Sequence, residues 1–298
     1  GAIAACAKHF LGYGASQGGR DYGYVGIPEI DLRNVYMPPF KAAVDAGVAT
    51  FMTAFSDVNG VPASGNRFLM RTVLRDEWKF PGFVVSDWES IIDMIVHGFA
   101  ANEMEAAFEA LSAGVDMEMA STTYRDHLAE LLAAKRIDQD TLDTAVRNVL
   151  RVKFQLGLFE RTVTDPSRYP AVASAANFAL AKKLTTQSLV LLQNRNDVLP
   201  LARPSLRSLA VIGPMADDAY EQLGTWIFDG DQALSRTPLM AIREIAGPHV
   251  TVRHVRAMET TRSRTTTVFA DAVAAASSAD AAVLFLGEES ILSGEAHS

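Results

Sequence analysis

Asp87 ends a short apolar run, Phe83-Val84-Val85, with a turn signal (Pro81-Gly82) before it and Ser86 between. Such a run reads as a buried strand, and helix-like sequence resumes from Ile91. A carboxylate at that junction has two readings. It can cap the first turn of the next helix by accepting a backbone N–H. It can also do chemistry, because the carboxyl ends of the strands form the working face of a β/α barrel. Upstream, Lys8-His9 closes the apolar stretch 3–10, and Arg20 lies in the glycine-rich loop that follows. Lys8-His9 reads equally as a cationic strand end facing water. Trp88 reads as core or as an aromatic floor. A sugar offers apolar C–H patches to a ring and hydroxyls to charged groups, so Asp87, Trp88, Lys8, His9 and Arg20 together suit a sugar.

Other chemistries find less support. The six histidines are scattered, with no pair at metal-binding spacing. No GxSxG elbow is present. Gly12-Tyr13-Gly14 lacks dinucleotide spacing, and Gly18-Gly19 precedes no clear helix. No metal or cofactor is expected. Two other functions remain open: a lyase using Lys8 as a Schiff base, and a sugar-binding protein without turnover.

The elements that would position these residues alternate. Strands are predicted at 3–10, 48–54, 83–85 and 115–119, and helices at 34–46, 67–78, from Ile91, at 102–113, 124–134 and 140–158. Strand and helix repeating every ~30 residues or more is βαβ architecture with a parallel sheet. Asp165-Pro166 and Tyr169-Pro170 mark a linker. A helix at 173–187 and strands at 189–192, 209–214, 250–255 and 281–287 follow, with helices at 238–246 and 268–276. The sequence has 298 residues, 49% of them hydrophobic, enough for a sizeable core in two domains. A net charge of −8 argues against nucleic acid or an anionic membrane as partner. No apolar run approaches the ~18 residues of a membrane span. The single cysteine, Cys6, leaves the compartment open.

These residues carry a resemblance. Lys8-His9-Phe10, MTAFSDVNG at 52–60, LRDEWKFPGFVVSDW at 74–88, AGVDMEM at 113–119, SLVLLQN at 188–194 and LGEESILSGE at 286–295 fall in the order seen in glycoside hydrolase family 3. The bacterial β-glucosidase type is the nearest likeness. The resemblance implies an α/β fold, part of a TIM-like β/α barrel (1–160), a linker and connecting helix (161–188), and part of an α/β sandwich (189–298). It implies that the family barrel begins upstream of the Lys-His segment. The chain is therefore expected to be part of a longer polypeptide, with the remaining segments as partners and an open or differently covered edge on its first strand.

The resemblance also implies roles. Asp87 matches the nucleophile and Glu295 the general acid/base, with Glu288 and Glu289 close by on the same loop. Lys8, His9 and Arg20 match groups that hold sugar hydroxyls. Trp88 and Met52 match residues lining that subsite, and Trp226 a segment overhanging it. Phe55 is expected to line the subsite as well, but it departs from the Tyr many members carry, which removes a hydroxyl that could orient Asp87. The loop 11–21 contains no His, which disfavours the N-acetylglucosaminidase branch. The implied activity is retaining, exo-acting hydrolysis of β-D-glucosides or oligosaccharides, or of β-xylosides, by a periplasmic or secreted enzyme. A homodimer is compatible with this reading. Lys8, His9 and Arg20 are expected to hold Asp87 in its charged form.

Overall fold

A computed structural model describes residues 3–169, 173–227 and 229–293. The chain divides into two compact units, Gly1–Thr164 and Asp165–Ser298.

Among the described residues, the first unit holds seven strands: β1 (Cys6–Phe10), β2 (Tyr24–Val25), β3 (Thr50–Thr53), β4 (Asp57–Val58), β5 (Val61–Pro62), β6 (Phe83–Trp88) and β7 (Met117–Met119). Four of them form a parallel sheet in the order β1-β3-β6-β7, part of the β/α barrel. Among the described residues, β1 and β7 are its outer strands and do not pair with each other. Apolar side chains set the register: Phe51 of β3 lies opposite Val84 of β6, and both are fully buried. Phe10 packs edge-on against Phe51 at 5.2 Å, and Phe51 against Phe80 at 4.9 Å.

The helices have explicit start and stop signals. Glu103–Ala113 begins at Asn102, whose side chain accepts the Glu105 N–H at 3.0 Å, and stops at Gly114 in a left-handed conformation. Gln139–Gln155 begins at Asp138 in the same way. At the amino end of the sheet, Asp116 collects a buried network. Its carboxylate accepts from Arg75 at 2.6 Å, from the Val84 N–H at 2.8 Å and from Asn148 at 2.9 Å. Arg75 also donates to the carbonyls of Phe80 and Gly82.

The second unit holds β8 (Ser208–Ile212), β9 (Thr251–Val255) and β10 (Ala281–Leu284), parallel in the order β10-β8-β9. Alternate residues of β8 face opposite layers. Leu209 and Val211 cluster with Leu239 of the helix Pro238–Ala246, and Ala210 and Ile212 with Ala275 of the helix Phe269–Ser277. A strand buried on both faces is the signature of a helix-covered parallel sheet, here part of an α/β sandwich.

Several expectations are corrected. The apolar run 189–192 is not a strand: Leu189, Val190, Leu191 and Leu192 are exposed and in no sheet. A strand needs a neighbour's hydrogen-bonding groups, which the run itself cannot supply. The helix expected from Asn34 begins at Glu29 and passes through a π-helical segment, Leu32–Tyr36, before Met37–Asp45. Pro38 and Pro39 have no N–H to complete a regular ladder. The helix expected from Ile91 is the single turn Asp93–Val96. A small sheet of β2, β4 and β5 forms as well, and its β2 lies in the glycine-rich stretch expected to be a loop.

Candidate active site

The carboxyl ends of β1, β3 and β6 converge because the three strands are parallel neighbours. Their ladders slip near these ends: between Ala7 and Phe10 on β1, and between Val85 and Trp88 on β6. Slips of this kind re-aim side chains. Here they bring His9 and Asp87 together, with His9 Nε2 at 3.3 Å from Asp87 Oδ2.

Asp87 is 6% exposed. Its Oδ1 accepts the Trp88 N–H at 2.7 Å. Its Oδ2 is buried and accepts no hydrogen bond; the His9 contact is close enough for charge pairing but not aligned as a bond. The capping alternative fails, because the helix Asp93–Val96 has Ile92 at its N-cap and no side-chain cap. One carboxylate oxygen is thus fixed by the backbone, and the other is left for something else to engage.

Electrostatics correct one expectation. Burial pushes Asp87 above the ordinary carboxylate range, and Asp21 adds to that, while the Trp88 N–H and the Lys8 charge pull the other way. Burial wins, so the cations do not hold Asp87 below its usual pKa. Lys8 itself is exposed. Arg20 is also exposed, next to Asp21.

An aromatic wall flanks the pair. Tyr13 lies 4.8 Å from the His9 ring and 6.0 Å from Phe55. Tyr22 stacks on Phe55 at 3.9 Å with planes 21° apart. Phe55, expected to line the subsite, is only 4% exposed and lies beneath Tyr22. Met52 is half-buried on β3, beside Val85 in the ladder, and Trp88 is 60% exposed at the end of β6. Trp226 is exposed in the second unit. Glu295 lies outside the described residues.

Sequence reasoning missed Tyr13, Asp21 and Tyr22. Their signal was weak: a loop of glycines around one Arg-Asp-Tyr segment. It also missed three buried hydroxyls, Thr53, Ser64 and Ser90, behind Asp87. Among the described residues, no group of three or more His, Cys, Asp or Glu is placed to hold a metal, and no helix is long and apolar enough to cross a membrane.

Comparison with known proteins fits this geometry. The model of the glycosyl hydrolase family 3 N-terminal domain matches residues 2–152, and that of the family's C-terminal domain matches residues 189–298. The chain belongs to glycosyl hydrolase family 3. It is 35% identical to a periplasmic β-glucosidase of Salmonella typhimurium, over 98% of this chain and 41% of that protein. It is 33% identical to a β-xylosidase of Formosa agariphila, over 98% of this chain and 42% of that protein. A β-glucosidase of Listeria innocua, solved in complex with glucose, superposes with a TM-score of 0.87 at 35% identity, covering 99% of this chain and 40% of that one. The chain thus spans about two fifths of the length of the relatives it matches.

Proposed function

We propose that this family 3 chain belongs to a retaining, exo-acting β-glucosidase in which Asp87 is the nucleophile. The observation that carries the reading is the buried Asp87 carboxylate at a strand's carboxyl end, with Oδ1 fixed by the Trp88 N–H and Oδ2 accepting no bond beside His9. In the first step Oδ2 attacks the anomeric carbon as the glycosidic C–O bond breaks. The leaving oxygen takes a proton from a second carboxyl group, assigned to Glu295. In the second step that group, now a base, takes a proton from water, which displaces Asp87. His9 and Lys8 hold sugar hydroxyls, and Tyr22, Met52 and Trp88 contribute its apolar contacts, with Trp226 and Arg20 as further contacts. An approaching sugar ring removes water and places its electrophilic carbon against Asp87, where the ionised form is then needed.

The likeness to β-glucosidases supports glucose, and the likeness to a β-xylosidase supports xylose as a second reading. The ratio of kcat/KM for nitrophenyl β-glucoside and β-xyloside decides between them. A Schiff base on Lys8 gains no support, because Lys8 is exposed and a lysine nucleophile depends on a desolvating pocket or a neighbouring cation. The name of one relative supports a periplasmic or secreted location.

A dinitrophenyl 2-fluoro-glucoside tests the reading directly. It should label the protein once per chain, and peptide mapping should place the sugar on Asp87. Asp87→Ala should abolish labelling and cut turnover by roughly 10³-fold or more. A label on Asp21 or Asp116 would overturn the assignment.

A further inference from the structure

Three hydroxyls from separate segments meet behind Asp87. Thr53 closes β3, Ser64 lies in the turn Ala63–Gly65, and Ser90 follows β6. Thr53 Oγ1 lies 2.8 Å from Ser64 Oγ, Ser64 Oγ lies 2.8 Å from Ser90 Oγ, and Ser90 Oγ lies 3.4 Å from Thr53 Oγ1. Thr53 is 0%, Ser64 1% and Ser90 4% exposed. Each hydroxyl has one proton and two lone pairs. Three hydroxyls in a closed ring can each donate once and accept once around it. Thr53 then has one lone pair left, and that lone pair accepts the N–H of Asp87 at 3.2 Å.

The recipient is what gives the ring a role. The last matched pair of β3 and β6 is Met52 with Val85, and the ladder between β6 and β7 slips between Val85 and Trp88. Asp87 therefore stands past the end of the β3 ladder and inside the slip of the β7 ladder, which resumes at Trp88 opposite Met119. Its backbone N–H goes to a side chain whose own position is fixed by two buried hydroxyls. On the other side of the strand end, Ser86 Oγ accepts the Met119 N–H at 2.8 Å. Phe55 has no hydroxyl to take part.

We propose that the Thr53–Ser64–Ser90 ring is a positioning device that sets the carboxylate of Asp87 for attack, with Thr53 as the residue through which it acts. This rests on the reading of Asp87 as nucleophile. Thr53 touches no substrate. It acts on the backbone that carries the reacting group, so its loss should reduce kcat rather than binding.

The test compares the parent chain with Thr53→Val, which keeps the shape and removes the acceptor, and with Thr53→Ser, which restores it. Active sites are counted by fluoroglycoside titration, so that misfolded protein does not enter the rate. Thr53→Val should lower kcat per titrated site by roughly 10- to 100-fold, the effect of a misplacement of order 1 Å. Its KM should stay within about threefold, and Thr53→Ser should recover most of the rate. Crystal structures supply a reading that needs no turnover. The 3.3 Å separation of Asp87 Oδ2 from His9 Nε2 should change in Thr53→Val and be restored in Thr53→Ser. If Thr53→Val does not fold, Ser64→Ala, which opens the ring and leaves the acceptor of Asp87 in place, is read in the same two ways with a smaller effect. Unchanged kcat, or a lowered kcat with Asp87 unmoved, overturns the proposal. If the parent releases no nitrophenol from any glycoside, the hydrolase reading fails by itself, and the crystal comparison still decides whether the ring positions Asp87.

Discussion

Asp87 holds a charge that its surroundings resist. Its folded pKa lies above the ordinary value of about 3.9 because burial outweighs the Trp88 N–H and Lys8. Between the unfolded and folded values, the folded chain holds more proton than the unfolded one. By linkage, stability falls as pH rises through that window, and the cost is fully present above the folded pKa. Asp87→Asn should therefore melt higher than the parent at pH 7. The gain should shrink as pH falls through the folded pKa and vanish only well below the ordinary Asp value, where the parent carboxyl is protonated in both states. Thermal melts across that range read the sign, and an Asn variant that melts lower at pH 7 would refute it. Stability lost to function in this way is common at active sites. Asp87 and His9 were legible because charged residues stood at the ends of apolar runs. Thr53, Ser64 and Ser90 were not, because a buried hydroxyl leaves no periodic signal. Tyr22 was not, because a stacking partner 33 positions away cannot be read from either residue alone.

At the scale of elements, the parallel strands were legible wherever an apolar run found a neighbour. The run 83–85 became the first half of β6, and 209–212 all of β8 but its first residue. The run 189–192 is as apolar as either and forms no ladder, because pairing is a property of two segments. β2, β4 and β5 have two residues each, too short to show a period. What ties the long elements together lies at the opposite end of the sheet from Asp87. Asp116 joins the starts of β6 and β7 to the helices Phe68–Glu77 and Gln139–Gln155 through Arg75, Val84 and Asn148. Burial raises the pKa of Asp116 despite Arg75 beside it, so the pair persists through its geometry and not through cheap ionisation. Arg75→Met should leave an unpaired buried carboxylate and cost about 3 kcal/mol. Arg75→Met combined with Asp116→Asn should cost clearly less than Arg75→Met alone, because no charge is then stranded. Urea titrations of the three variants measure this; a double variant no more stable than the single one would show that the pair acts only by packing.

At the scale of the whole molecule, the proposed retaining hydrolase needs two carboxyl groups in different protonation states, and Asp87 and Glu295 are the pair proposed for them. Asp87 belongs to the first unit and Glu295 to the second. Six positions before Glu295 in the sequence, Glu289 accepts the Thr261 N–H at 3.3 Å, while Glu288 is exposed. If Glu295 is the acid, its worth depends on the leaving group. An alkyl oxygen needs the proton and a dinitrophenolate does not. Glu295→Ala should therefore slow an alkyl glucoside severely and the first step with a dinitrophenyl glucoside far less. The second step should still suffer, because water has lost its base. Azide needs no base, so adding it should restore turnover of the activated substrate. The product should be β-glucosyl azide, with configuration retained through two displacements. Glu288→Ala and Glu289→Ala, run beside it, should behave as the parent does. Rescue of Glu288→Ala in place of Glu295→Ala would move the acid/base seven residues along the loop and leave Asp87 untouched. Rescue of none of the three would place the acid/base outside this loop altogether.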